Sequence, residues 1–358
     1  MALGEPVLYS VYIYAPNHGA PIFFAIAFAL SAIFHIWQCY RYKAWKLIGL
    51  HPLCAVFFTA GYALRAYGSH HYLYLPTDGS PLLAFILSQV FIFICPPLLE
   101  LANYHVLGRI FYYVPYLAPI SPGRVLAIFG GLMAVVELLN ALGVALGANP
   151  TATSGQQPIG QGLILAAVSI QIGLVVVFVS ATVIFHRRCI RSDSLPSRSR
   201  AIKVLLPTLY VSMALIFIRC IYRLVEHTAP TKVKIGNLEA LRDLSPILRY
   251  EVYFYVFEAT LMLLNSVIWN VWHPGRFLPH SHRVHLARDG AEVERERVID
   301  GRPTWAKVAH VLAFGLLFGR KKQAGGAFQE LSKLPNQSNV ARPRTGFRAP
   351  ISSAPASS

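Results

Sequence analysis

Apolar runs of roughly 20 residues recur seven times along this 358-residue chain, each the length an α-helix needs to cross a ~30 Å hydrocarbon core. They cover residues 20–39, 47–66, 82–107, 125–146, 162–185, 203–224 and 252–272, with polar punctuation between them. A soluble domain carries about one charged residue in four. Here 13% of residues are charged and 55% are hydrophobic, with a mean hydropathy of +0.48. The fold class is therefore all-α, a seven-transmembrane helical bundle of an integral, multi-pass membrane protein. The first run lacks a basic leader and is too long for a cleavable signal peptide. In the third run, Pro96-Pro97 removes backbone donors at mid-membrane and predicts a kink or break. A break at that depth is tolerated only where it is buried in protein or lines a cavity.

Charge in the connections sets the orientation. Residues 1–19 contain no Lys or Arg, whereas the first loop has Arg41, Lys43 and Lys46. The third loop has Arg109 and Arg124, and the fifth gathers Arg187, Arg188, Arg191, Arg198, Arg200 and Lys203. The second and fourth are almost free of basic residues, and the sixth is mixed. The positive-inside rule then puts the N-terminus outside and the C-terminus in the cytosol. The chain divides into an extracellular segment (1–19), a seven-span domain (20–273), a cytosolic basic tail (274–334) and a final stretch (335–358). That last stretch is rich in Pro, Ser, Ala and Asn and is expected to be disordered. From residue 274 onward fourteen Lys/Arg face six Asp/Glu, half of the chain's +16 excess. Within this tail, 304–320 is apolar for only about 14 residues, too short to span, and is expected to lie amphipathically along the inner leaflet. Arg320, Lys321 and Lys322 would then face anionic headgroups. The basic excess is thus membrane-surface charge, and no nucleic acid partner is expected. None of the five cysteines falls in a segment assigned outside, so no disulfide framework is expected.

Charged residues inside the apolar runs are the candidates for function, because a lone charge in hydrocarbon must pair, snorkel or face water. Arg219, Arg223 and Glu226 stand at i, i+4 and i+7, and so do Glu251, Tyr255 and Glu258, each set on one helical face. Under the predicted topology they meet at one membrane level with Arg65. Two compatible readings follow: a structural clamp, or a polar cavity holding a lipid headgroup, zwitterionic or amino-bearing. A second, deeper set comprises Glu100, Asn103, Glu137 and Asn140. It reads either as interhelical hydrogen-bonding glue or as a polar step on a headgroup path, with Asn103 a candidate partner for either carboxylate. Histidines 35, 51, 105, 186, 273, 280, 282 and 285 gather on the inner side, where interfacial and loop positions account for them. No two stand at i, i+4 within a span, so no metal site is expected. No glycine-rich phosphate loop precedes a helix, and no other cofactor is called for.

These residues resemble the RTA-like lipid-translocating exporters of fungi, over most of residues 9–280. The resemblance rests on Tyr12-Ile-Tyr14-Ala-Pro16, His35, Trp37-Gln38, Arg41-Tyr-Lys-Ala-Trp45, Gly61-Tyr62, Arg65, Pro97, Tyr104 and Gly108-Arg109. It is strongest at Ile218-Arg219-Cys-Ile-Tyr222-Arg223-Leu-Val-Glu226, then Glu251, Tyr255, Glu258 and His273-Pro274-Gly275. The chain departs from the family where a Glu usually precedes Gly-Tyr of the second span, here Phe58 and Thr59, and where Glu258 replaces Asp. In the fourth span, Met133 and Asn140 stand before Gly143 where the family carries Asp and Gln. The resemblance implies seven spans with the N-terminus outside and a plasma-membrane transporter rather than an enzyme. It further implies movement or release of amphiphiles such as sphingoid long-chain bases, with tolerance to stress from toxic lipids or drugs. A seven-span sensor or receptor for lipids or stress signals is the alternative, and a membrane-embedded lipid hydrolase a third reading. Truncation after residue 334 should leave membrane abundance and activity unchanged, because a segment that buries nothing contributes nothing to folding; loss of insertion would show otherwise.

Overall fold

A computed structural model describes residues 5–74, 79–148, 156–192, 200–228, 238–279, 284–286 and 292–294. The predicted inner-leaflet segment 304–320 and the stretch 335–358 lie outside the described residues. Among the described residues seven helical rods follow one another along the chain. The first is α1 (Gly19–Arg41); a short α2 (Trp45–Ile48) leads into the second, α3 (Leu50–His70). The third is broken into α4 (Ser80–Phe93) and α5 (Cys95–Tyr113), with Pro96 and Pro97 in the first turn of α5. The break predicted from the Pro-Pro pair is therefore present. The fourth rod is α6 (Pro122–Val125), a π-helical turn (Leu126–Gly130) and α7 (Gly131–Ala148). Then come α8 (Gln156–Arg191) and α9 (Arg200–Thr228). Short helices α10 (Leu238–Arg242) and α11 (Pro246–Arg249) precede the seventh rod. That rod is α12 (Glu251–Phe254), a second π turn (Tyr255–Thr260) and α13 (Leu261–Val271).

Six of these rods are long and apolar enough to cross a membrane: Gly19–Arg41, Ser80–Tyr113, Pro122–Leu146, Pro158–Arg191, Ala201–Thr228 and Glu251–Arg276. α3 is long enough, but it carries His51, Thr59, Arg65, Ser69 and His70 and is the least apolar of the seven. The bundle is patterned inside out relative to a soluble protein. On α1 the exposed face is Phe23, Ile26, Leu30, Ile33, Phe34 and Trp37, while Ser31, His35 and Gln38 point inward. An apolar face of that size suits hydrocarbon, not water. Two aromatic stacks fill the core. Phe28 meets Phe58 at 4.5 Å and Tyr62 at 5.5 Å between α1 and α3. Tyr104, Phe129 and Phe178 meet at 4.9–5.4 Å between α5, the first π turn and α8.

Two features have no counterpart in the sequence reading. Residues 5–18 form a folded cap. Val7 N–H donates to Ile13 O (2.7 Å), Val11 N–H to Tyr72 O (3.0 Å) and Tyr74 N–H to Tyr9 O (2.8 Å). Tyr9 and Ile13 hold positive φ, 60° and 76°, a conformation costly for a β-branched residue and sustained only where its surroundings over-determine it. At the other end, Val284–Leu286 pairs antiparallel with Glu292–Glu294, and Arg109 at the end of α5 donates to Pro279 O and Val284 O. The start of the tail is thereby tied under α5.

α7 and α8 pack closely because Gly143 has no side chain. A Cβ there would lie 2.8 Å from Gly160 O and 3.0 Å from Ile164 N, both backbone atoms. Small residues serve this purpose in membrane bundles, where backbone approach replaces hydrophobic drive. Gly143→Ala should therefore cost about 1–3 kcal/mol, read as a lowered thermal unfolding midpoint in detergent, with Gly143→Leu lower still.

Candidate functional site

The residues singled out from sequence resolve into two places. The first is a lock at the end of the bundle that carries the cap. Arg65, near the end of α3, is 2% exposed. Its Nη2 donates to Glu251 Oε1 (3.1 Å) and to the Tyr14 hydroxyl (3.0 Å), and its Nε to the Tyr255 hydroxyl (3.2 Å). The guanidinium carbon lies 4.1 Å from the Phe254 ring centroid and 4.9 Å from that of Tyr12, within cation–π range. Glu251 Oε2 accepts from Asn17 N–H (2.7 Å), and the Asn17 side chain caps α1 by accepting from Gly19 and Ala20 N–H. Burial holds the Tyr14 phenol above its usual range despite the adjacent Arg65, so it stays protonated. The cap, α1, α3 and the seventh rod are joined through this one cation.

The second place is a small cleft lined by Phe93 and Pro97 at the helix break, Glu137 and Asn140 of α7, Gln171 of α8, and Arg219, Arg223 and His227 of α9. Arg219 Nε donates to Glu258 Oε1 (2.8 Å), both side chains buried. Arg223 Nη1 donates to Glu226 Oε2 (2.6 Å), both half-buried, and its guanidinium lies 4.2 Å from the Phe93 ring centroid. Glu137 is hydrogen-bonded to Asn140. Gln171 Nε2 donates to Glu100 Oε2 (2.8 Å), and the Tyr104 hydroxyl donates to Glu100 Oε1. Glu100 thus sits directly behind the cleft wall.

Several sequence expectations change on this geometry. The single cluster of Arg65, Arg219, Arg223, Glu226, Glu251, Tyr255 and Glu258 is split: Arg65, Glu251 and Tyr255 form the lock and do not line the cleft. The π turn at Tyr255–Thr260 explains the division, because a turn closed by i→i+5 bonds holds an extra residue. Glu251 and Tyr255 face α3 while Glu258 is turned toward α9. The two polar sets, expected at different depths, share the cleft, where Glu137 and Asn140 join Arg219 and Arg223. Asn103 pairs with neither carboxylate. Three residues on from Glu100 it faces α9, donating to Ser212 Oγ (2.8 Å) and Met213 Sδ (3.1 Å).

Sequence reasoning missed Gln171 and His227; the signal for Gln171 was its place as a lone amide in the middle of an apolar run. His35, His51 and His273 are not interfacial. They are buried inside the bundle, with the His35 and His51 rings 5.5 Å apart and His35 Nε2 3.2 Å from Ser266 Oγ. Among the described residues, no three His, Cys, Asp or Glu side chains converge to hold a metal ion, and all five cysteines are free and buried.

A family model described as RTA1 like protein matches residues 52–281. A "Lipid-translocating exporter-like protein RTA1" of Leptosphaeria maculans is 54% identical over 346 residues, 95% of this chain and 66% of that protein. The chain thus spans just under two thirds of that relative's length. A protein of the same name from Ajellomyces capsulatus is 33% identical over 251 residues, 67% of this chain and 74% of the relative. The "Probable lipid transporter atnI" of Emericella nidulans is 24% identical over 285 residues, 75% of this chain and 68% of the relative. No solved structure matches.

The lock makes a prediction. Glu251→Ala strands a buried guanidinium and should cost about 3–5 kcal/mol, measured as loss of the detergent unfolding midpoint. The double change Arg65→Met with Glu251→Leu should cost clearly less than either single charge removal, since it leaves no charge unpaired.

Proposed function

The chain belongs to the RTA1 like protein family, and from that membership and the cleft we propose that it translocates amphiphilic lipids across a membrane. The observation that carries this reading is the cleft itself. Two guanidiniums, a carboxyl and two amides line a space beside a broken helix, and polar groups at that depth mark substrate paths by default. A headgroup entering there would exchange with internal partners. Arg223 and Glu226, half-buried, are the pair most easily opened, with Arg219, Glu137 and Asn140 completing the contact and Glu258 holding Arg219. The break between α4 and α5 supplies the joint about which one wall opens. Arg65, Glu251 and Tyr255 act as the lock that keeps the frame while the wall moves.

In this reading α3 is a seventh span, its polar residues turned into the bundle, and the N-terminal cap faces outward while the tail lies in the cytosol. The substrate class is amphiphiles with an amino-bearing or zwitterionic headgroup, sphingoid long-chain bases among them. The site of action is the plasma membrane, and tolerance to toxic lipids or drugs is the cellular consequence. The basic tail would rest on anionic lipids of the inner leaflet. The named relatives support transport, since each is described as an exporter or transporter of lipids.

Vesicles reconstituted with only this protein should move a fluorescent long-chain base between leaflets, and Arg223→Ala should slow that movement about tenfold, a ~1.4 kcal/mol effect, at unchanged protein level. If the wild-type protein moves no lipid while an added amphiphile alters protease access to residues 187–203, the sensor reading replaces this one.

A further inference from the structure

Charges around the cleft do not cancel. Among the described residues, two cations, Arg219 and Arg223, meet four carboxyls, Glu100, Glu137, Glu226 and Glu258. Glu258 and Glu226 are taken up in ion pairs at 2.8 and 2.6 Å. Glu137 and Glu100 are in no such pair among the described residues. Glu137 is held by the amide of Asn140, and Glu100, wholly buried, by Gln171 and the Tyr104 hydroxyl. A carboxylate away from water keeps either a cation or a proton beside it. The groups facing Glu137 are Arg219, Arg223 and His227 of α9 and the neutral Gln171 of α8, with Glu100 of α5 behind that wall. Arg219 is already committed to Glu258 and Arg223 to Glu226. Glu100, wholly buried and in no ion pair among the described residues, keeps its own proton by the same rule, so a change of proton falls to Glu137, which lines the cleft.

We propose that Glu137 is a proton-exchange site, occupied by a proton when the cleft is empty and by a cationic headgroup when it is filled. The O–H bond of Glu137 breaks as an ammonium group enters, the proton leaves through the cleft to water, and the ammonium takes its place as counter-cation. The charge of the site is the same before and after. On departure of the headgroup a proton returns from whichever side the cleft then faces. Lipid movement in one direction is thereby exchanged for proton movement in the other, a coupling that asks for no nucleotide. This inference rests on the transport reading above and gives it an energy source.

The test uses the full chain and a trimethylammonium amphiphile, whose permanent charge prevents it from carrying protons itself. In weakly buffered detergent solution, binding should release about one proton per probe bound, by linkage between the two ligands. Glu137→Gln should remove that release, and Glu137→Asp should keep it, which guards against a variant that merely misfolds. In vesicles, a one-unit pH gradient should bias wild-type probe movement about tenfold and leave Glu137→Gln movement unbiased. Binding without proton release, or release that survives in Glu137→Gln, overturns the exchange while leaving lipid transport standing. A wild-type protein that binds no probe overturns both; one that binds with proton release but moves no lipid overturns the transport reading and the coupling with it, leaving only proton exchange on binding.

Discussion

A charge buried in a bundle of this kind has to be answered by other parts of the same molecule, and the architecture follows from how each one is answered. Arg65 is answered by Glu251, Tyr14 and Tyr255, and by the faces of Tyr12 and Phe254. To supply those partners the chain folds its first residues back over the end of α3, accepts positive φ at Tyr9 and Ile13, and brings the seventh rod beside the second. Arg219 is answered by Glu258, and that requires the π turn, because the same stretch must serve α3 one turn earlier. The irregularities of the fold are thus the means by which two guanidiniums are kept out of hydrocarbon without being exposed to it.

The lock and the cleft consequently occupy different parts of the molecule. Around α1, α3 and the seventh rod, stacked aromatics and the Arg65 lock tie the helices together. Around the broken third rod, α7, α8 and α9, charged and amide side chains line a cleft. Pro96 and Pro97 stand where the two parts meet, with α4 packed on α3 and α5 reaching α9.

Much of this was legible in the residues. Seven apolar runs of membrane length foretold seven rods, and Pro96-Pro97 the break. Arg223 and Glu226, read as sharing one helical face, pair with each other along it. What escaped depended on features that one strand of sequence does not carry. A π turn has no dependable residue signature, so Glu251, Tyr255 and Glu258 read as a single face although Glu258 turns to a different helix. Asn103 and Glu100 look like neighbours in sequence, but their partners, Ser212 and Gln171, lie on separate helices more than 70 residues away. The cap of residues 5–18 is held by long-range backbone bonds and by Glu251, none of them visible locally. His35 and His51 read as interfacial because the packing that encloses them comes from the seventh rod.

The lock also sets a problem of timing. Arg65 is synthesised 186 residues before Glu251, which at ribosomal speeds of roughly 5–20 residues per second is a wait of about 10–40 s. During that interval the guanidinium has only what has already been made. Tyr12 and Tyr14 come off the ribosome ahead of it, and they supply a hydroxyl acceptor and a ring face. The partners of Arg65 thus come from both sides of it in the chain, Tyr12 and Tyr14 before it and Glu251 and Tyr255 after it.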